Sequence, residues 1–327
     1  MAPASLSFLR PEVAALKRKL DLFVEEDCIP NEELFASHLE NRHGAERWTH
    51  GAVPPGLARL KTKAKALGLW NLFIPRHLIE AVQKLDPALA PSVSLTYREY
   101  GILCESMGRS PWIAPEACNC SAPDTGNMEV LLEFGSNEQK RQYLLPLLRG
   151  EIRSAFLMTE PEVASSDATN LQTKLSKLSD SHYVLSGRKW WSTGAMDPRC
   201  EFFLVVSRME YDKHSQNTRR TTTGNHGAHT IVLVPRSSSG VTFERALTVF
   251  GYDDAPHGHA QVRLDNISLS PNDLILGEGS GFQVSQARLG PGRIHHCMRA
   301  VGMGKSLILA HNVTSNDAPL CCSCSCV

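Results

Sequence analysis

The hydrophobic pattern of the chain changes period near residue 150, and this change restricts the fold more than any other feature. Before it, apolar residues recur at helical spacing. Pro11-Glu12-Val13 opens one such segment, with Leu16, Leu20, Leu22 and Phe23 following and proline at the favourable first turn. Leu57, Leu60, Ala64 and Leu67 mark a second helix, residues 95–107 a third stopped by Gly108, and residues 127–134 a fourth closed by Gly135. Ser136 and Gln139 stand three apart, as a capping box requires, ahead of a helix carrying Tyr143, Leu144, Leu147 and Leu148. Residues 41–56, polar and rich in Gly, His and Pro, read as a loop.

Beyond residue 150 the apolar runs are short. Ala155-Phe156-Leu157-Met158, Phe202-Phe203-Leu204-Val205-Val206 and Thr230-Ile231-Val232-Leu233-Val234 read as strands, and residues 259–264 alternate as a half-buried strand does. Residues 210–228 are polar and read as a long exposed loop. Helical spacing returns at Gly281, breaks at Pro291 and resumes over residues 294–309. The expectation is an α+β chain: an N-terminal helical domain over 1–150, a middle β-domain over 151–270 built as a small barrel or sandwich, the start of a C-terminal helical domain over 271–310, and an irregular Cys-rich tail over 311–327.

Two stretches carry candidate chemistry. Residues 156–167 (Phe-Leu-Met-Thr-Glu-Pro-Glu-Val-Ala-Ser-Ser-Asp) begin as an apolar strand and end as a loop of small polar residues. Low bulk at 163–166 lets a flat or anionic ligand approach the backbone, and the hydroxyls of Thr159, Ser165 and Ser166 suit phosphate or ring-edge atoms. Taken alone, the stretch fits a plain polar strand-to-loop turn better than a binding loop. About thirty residues later comes Gly187-Arg188-Lys189-Trp190-Trp191-Ser192-Thr193-Gly194. Successive strand residues face opposite sides, so one tryptophan faces a ligand and the other packs inside.

In this order and at this spacing, the two stretches resemble the acyl-CoA dehydrogenase family, in which a TEP…SD loop and a GxKWxT/S strand cradle the flavin of FAD. The details are similar to the branch called family members ten and eleven, and the resemblance runs from about residue 5 to about residue 306. It implies FAD as cofactor, a middle β-barrel domain and an incomplete C-terminal helical bundle. Its implied flavin contacts are Phe156, Met158, Thr159, Ser165, Ser166, Trp190, Trp191 and Ser192. Among these, Trp190 is the flavin neighbour, Trp191 the core tryptophan, and Ser192 the hydroxyl near flavin N5. Gly290-Pro291-Gly292-Arg293 resembles the family's substrate loop and joins Ser166 as the implied substrate-binding set.

The activity implied is α,β-dehydrogenation of a fatty acyl-CoA in β-oxidation. A homodimer, an electron-transfer flavoprotein acceptor and a mitochondrial or peroxisomal site come with it, although the chain carries no clear targeting signal. The family's carboxylate base lies beyond the point where the resemblance stops, so no catalytic residue is named. The expectation is a truncated form, whose alternative role is that of a flavin-, acyl-CoA- or partner-binding fragment.

Composition removes other classes. Lys+Arg and Asp+Glu both number 34, which argues against non-specific nucleic-acid binding. No apolar run is long enough to span a bilayer. Of ten cysteines, four crowd the tail at Cys321, Cys322, Cys324 and Cys326 without a second half, so no zinc site is expected. His295 and His296 point about a hundred degrees apart on a helix and do not form a two-ligand metal site. Asp124-Thr125-Gly126-Asn127 opens a helix and reads either as a polar-group site or as plain capping.

Overall fold

A computed structural model describes residues 9–211 and 228–317. The expected exposed loop at 210–228 falls almost wholly outside these residues; of the tail expected to be irregular over 311–327, residues 311–317 are helical instead and the rest lies outside.

The first part of the chain is helical, as its periodicity predicts: α1 (Pro11–Phe23), α2 (Glu32–Glu40), α3 (Gly56–Ala66), α4 (Ile79–Leu85), α5 (Tyr97–Gly108), α6 (Ala114–Ala117) and α7 (Asp124–Phe134). They are followed by α8 (Asn137–Gln139), a π-turn and α9 (Leu145–Arg149). Val13, Leu16, Leu20 and Phe23 of α1 are buried, each large side chain contributing roughly 1.5–3 kcal/mol of burial. Thr96 and Glu99 make a full capping box at α5, and Ser136 and Gln139 make the expected one at α8. Residues 44–52, read as loop, are two short 3₁₀ turns.

The middle part holds β1 (Arg153–Leu157), β2 (Lys174–Ser179), β3 (His182–Thr193), β4 (Cys200–Tyr211), β5 (His229–Pro235), β6 (Val241–Leu247), β7 (His259–Leu269) and β8 (Leu274–Ile275). They form one mixed sheet in the order β6-β7-β3-β2-β4-β5-β8. The sheet curls around its own core of Leu175, Leu185, Phe203, Val205, Val232 and Val262. Alternate residues of β4 and β5 (Phe202, Leu204, Val206, Ile231, Leu233) face the helical core instead, as a period of two requires. Among the described residues the hydrogen-bonded path ends at β6 and β8, so the domain is a curled open sheet where a closed barrel was expected.

β1 and β2 share one edge of β4. Leu157 pairs with Val205 and Lys174 with Arg208, both in parallel, while β5 occupies the other edge. The chain therefore leaves the sheet at residue 158 and rejoins the same edge three residues further along β4. The TEP…SD stretch is what is extruded there.

The C-terminal part is a single helix, α10 (Gly281–Asp317), which runs through Pro291. The expected break does not occur. A mid-helix proline removes one backbone hydrogen bond and costs about 3 kcal/mol. Contacts on both sides of it hold α10 in place: Arg288 on Asn127, His295 edge-on to Tyr100 with ring centroids 4.4 Å apart, and Arg299 on the Cys120 carbonyl. Further along, Val301, Leu307 and Ile308 are exposed. No helix among the described residues is long and apolar enough to cross a membrane.

Candidate active site

Extrusion of residues 158–173 from the sheet edge brings the two sequence motifs together. The Trp190 backbone N–H donates to the Thr159 carbonyl at 3.0 Å, and Thr159 Oγ1 donates to the Trp190 carbonyl at 2.7 Å. Behind this junction lies a pair that the sequence reading did not single out. Lys189, fully buried on β3, donates from Nζ to Glu160 Oε1 at 2.7 Å and to the Met158 carbonyl at 2.9 Å. Glu160 also accepts the backbone N–H of Gln172 at 2.6 Å and of Thr173 at 3.0 Å, so one carboxylate pins both ends of the loop to β3. Burial drives the Lys189 ammonium down to about 8, against the pull of Glu160. Burial would raise Glu160, but Lys189 and the hydrogen bonds hold it below the ordinary carboxylate value. Gly187 has a steric reason: a Cβ there would sit 2.4 Å from Thr173 Oγ1 and 2.7 Å from its Cα.

The strand rule that assigned the tryptophans fails at a β-bulge. Lys189 pairs with Val262 and Ser192 with Ala260, so three steps on β3 oppose two on β7. Trp191 takes up the difference with φ of 50° and turns outward, 40% exposed. It is therefore not the core tryptophan expected. Its ring lies 6.3 Å from Trp190 and 5.8 Å from His259. The bulge also reverses the hydroxyls. Ser192, expected at the flavin edge, is 1% exposed and points into the interior, where its Oγ has no hydrogen-bond partner. Thr193 is half-buried, with Oγ1 3.0 Å from His259 Nδ1, and supplies the hydroxyl beside Trp191. A bulge between two tryptophans leaves no local sequence signal.

The remaining predicted residues divide. Phe156, Met158 and Thr159 are half-buried at the junction, and Ser165 and Ser166 are exposed on the loop. Asp167 braces that loop by accepting from Thr169 N, Thr169 Oγ1 and Asn170 Nδ2. Gly290, Pro291, Gly292 and Arg293 form no loop; they lie inside α10 with Arg293 exposed. The arginine brought to the motif is Arg288, five residues earlier, whose guanidinium lies 3.9 Å over the Phe156 ring. Burial lowers Arg288 to about 10, and burial raises its neighbour Glu129 to about 8 despite that cation. Asp124, at the start of α7, is occupied by the chain itself. It accepts from Ser154 N and Oγ at 2.7 Å each and pairs with Arg153 at 2.9 Å.

Arg153 belongs to a buried charge cluster that joins helices to sheet. It also pairs with Glu116 at 2.9 Å; Arg199 bridges Glu116 at 2.6 Å and Asp197 at 2.8 Å; His257 bridges Asp197 at 2.7 Å and Glu116 at 3.0 Å. Burial alone would push Glu116 up, yet Arg199, Arg153 and Lys61 hold it well below the ordinary carboxylate value. Above the cluster opens a cavity of about 810 Å³ with mostly apolar walls. Phe35, Leu39, Leu57, Trp112 and Ile113 line it, together with the loop carrying Phe250 and Tyr252. His259 lines it too, so the cavity adjoins Trp191 and Thr193.

Two family models match the chain. Residues 11–151 match the acyl-CoA dehydrogenase N-terminal domain and residues 155–267 the acyl-CoA dehydrogenase middle domain. The chain is similar to acyl-CoA dehydrogenase family member 11 of Homo sapiens, 43% identical over 289 residues, covering 88% of this chain and 33% of that protein. It is similar to a solved Mycobacterium abscessus protein described as an acyl-CoA dehydrogenase, at 41% identity and a TM-score of 0.77, covering 94% of this chain and 69% of that one. An acyl-CoA dehydrogenase complexed with FAD from Bacillus anthracis shares the fold at 20% identity and a TM-score of 0.68, covering 98% of this chain and 48% of that one. The chain spans about a third of the length of several curated relatives it matches.

Proposed function

The chain belongs to the acyl-CoA dehydrogenase family, and from that premise we propose that it binds FAD between the extruded loop and the bulge of β3 and takes part in α,β-dehydrogenation of a fatty acyl-CoA. The observation that carries the reading is the bulge: it presents a flat indole, that of Trp191, and a hydroxyl, that of Thr193, side by side on the open face, next to an apolar cavity. This donor set fits an isoalloxazine ring. Trp191 offers a face for stacking, Thr193 a hydrogen bond at a ring edge, and residues 163–166 a low-bulk backbone within reach of polar atoms.

When bound, FAD would supply the hydride acceptor of the reaction. The chain's own residues do the positioning. The Lys189–Glu160 pair fixes the loop against β3, Trp191 and Thr193 orient the ring, and the apolar cavity takes the acyl chain and keeps water from it. A homodimer, an electron-transfer flavoprotein as electron acceptor, and a mitochondrial or peroxisomal location belong to the same reading.

The test is the visible spectrum of the purified protein with bound flavin quantified, followed by anaerobic addition of acyl-CoA. Near-stoichiometric FAD that bleaches with acyl-CoA supports the proposal. A protein that stays colourless with added FAD overturns it and leaves the role of a binding fragment.

A further inference from the structure

The cavity is lined chiefly by two pieces of chain far apart in sequence, with Trp112, Ile113, Glu116 and Arg199 completing it. One piece is residues 32–57 of the helical domain; the other is residues 249–257, the connection from β6 to β7. The second piece is a tight loop. Val249 and Tyr252 exchange backbone hydrogen bonds of 2.9 Å, and Phe250 and Asp254 have φ of 50° and 56°. It holds Phe250 97% exposed and Tyr252 79% exposed at the rim.

What ties the two pieces is Arg47. Its Nε and Nη2 donate to Asp253 Oδ2 and Oδ1 at 2.5 and 2.6 Å, a two-pronged pairing that fixes direction as well as distance. Its Nη1 donates to the carbonyls of Leu39 at 2.7 Å and Arg42 at 3.2 Å, so the same guanidinium anchors the end of α2. The next residue, Trp48, packs on Gly258, where a Cβ would lie 2.5 Å from the indole. The pair is partly open to solvent, with side chains 23% and 20% exposed, so its contribution to global stability is small. It joins the two sides of the cavity directly, beside the Trp48–Gly258 contact.

Most of the charges around the cavity are matched to one another, Glu32 being the exception, with a buried Oε1 that has no hydrogen-bond partner. Arg47 is spent on Asp253, and Glu116, Arg199 and His257 are spent within the buried cluster. The surface left for an occupant is mostly apolar, which favours a hydrocarbon chain. We propose that the Arg47–Asp253 pair is a latch that closes the cavity around the distal part of the acyl chain and thereby sets the chain-length preference. This rests on the acyl-CoA reading above and adds the residues that decide which acyl-CoA is preferred.

The test uses the FAD-loaded full chain, titrated calorimetrically with CoA and with straight saturated acyl-CoAs from four to sixteen carbons. Wild type is expected to bind about four-fold tighter per added methylene until the cavity is filled, the equivalent of ~0.8 kcal/mol per buried methylene. Asp253→Ala and Arg47→Met are expected to bind CoA and the shortest acyl-CoA as wild type does. Both lose the gain at the long end, by at least ten-fold for the longest chain that wild type accepts. The double variant is expected to be no worse than either single one, because both remove one interaction. Thermal melting of each variant confirms the fold.

A wild-type length profile in the variants overturns the latch, as does an equal loss at every length or additive losses in the double variant. Wild type that binds FAD but no acyl-CoA refutes the acyl reading itself, and the latch with it.

Discussion

Replacing Lys189 by methionine tests the central contact of the site. The substitution keeps the length and burial of the side chain and removes its charge. It leaves Glu160, 4% exposed at its side chain, without its cation, and the Met158 carbonyl without its donor. Breaking a buried pair from one side costs about 3–5 kcal/mol. Glu160 keeps its two backbone donors, Gln172 and Thr173, which places the loss near the lower end, about 3 kcal/mol, a shift in the folding equilibrium of more than a hundred-fold. Removing both charges, Lys189→Met with Glu160→Gln, should recover most of this, to within ~1 kcal/mol of wild type, because no unpaired charge remains.

Urea unfolding followed by tryptophan fluorescence measures both, with the midpoint falling and the slope unchanged. The pH dependence has a definite sign. Glu160 is held below its unfolded value, so its contribution is present above about 4.3 and is lost as pH falls through the lower folded value. The reasoning fails if Lys189→Met lies within 1 kcal/mol of wild type, or if the double variant is less stable than the single one.

Three further outcomes follow from the geometry. Gly187→Ala forces a methyl group to within 2.4 Å of Thr173 Oγ1 and should cost about 1–3 kcal/mol in the same unfolding assay; wild-type stability would contradict that contact. Trp191→Ala removes a side chain that is 40% exposed, so stability should change by less than about 1 kcal/mol while FAD binding weakens up to ~10-fold, measured by flavin fluorescence; unchanged FAD affinity would remove Trp191 from the site. His257 is lowered by burial and Arg153, yet Glu116 and Asp197 raise it further, and the net shift is upward. Its contribution is full below about 6.5 and lost as pH rises through the raised folded value, so the melting temperature should fall over that range in wild type. His257→Asn should flatten the decline, and an equal slope in both proteins would show that another group titrates.

What the sequence disclosed depended on how local each signal was. The stripe of α1, the Ser136–Gln139 capping box and the apolar runs of β4 and β5 are written in neighbouring residues and appear where expected. The pairing of residues 156–167 with 187–194 was legible as a motif, and Thr159 does meet Trp190. Which side chains face outward was not. That depends on one extra residue on β3 relative to β7, a relation between strands, so Trp191 and Ser192 exchange their expected environments. Pro291 misled for a similar reason: its local cost is real, but contacts from α5 and α7 outweigh it. Lys189 was visible as a charge inside a strand motif and Glu160 as part of TEP, but nothing in one dimension says that they meet.

The shared edge of β4 has a consequence for how this site tolerates change. Both feet of the extruded segment stand on one strand, three residues apart. Any flexing of the sheet carries the two feet together, so it displaces the segment as a unit without stretching it. The anchorage of the span is thus set by β4 and by Glu160, apart from the contacts within the span itself. A change in the length of residues 161–171 would leave the register of β1 and β2 on β4 as it is.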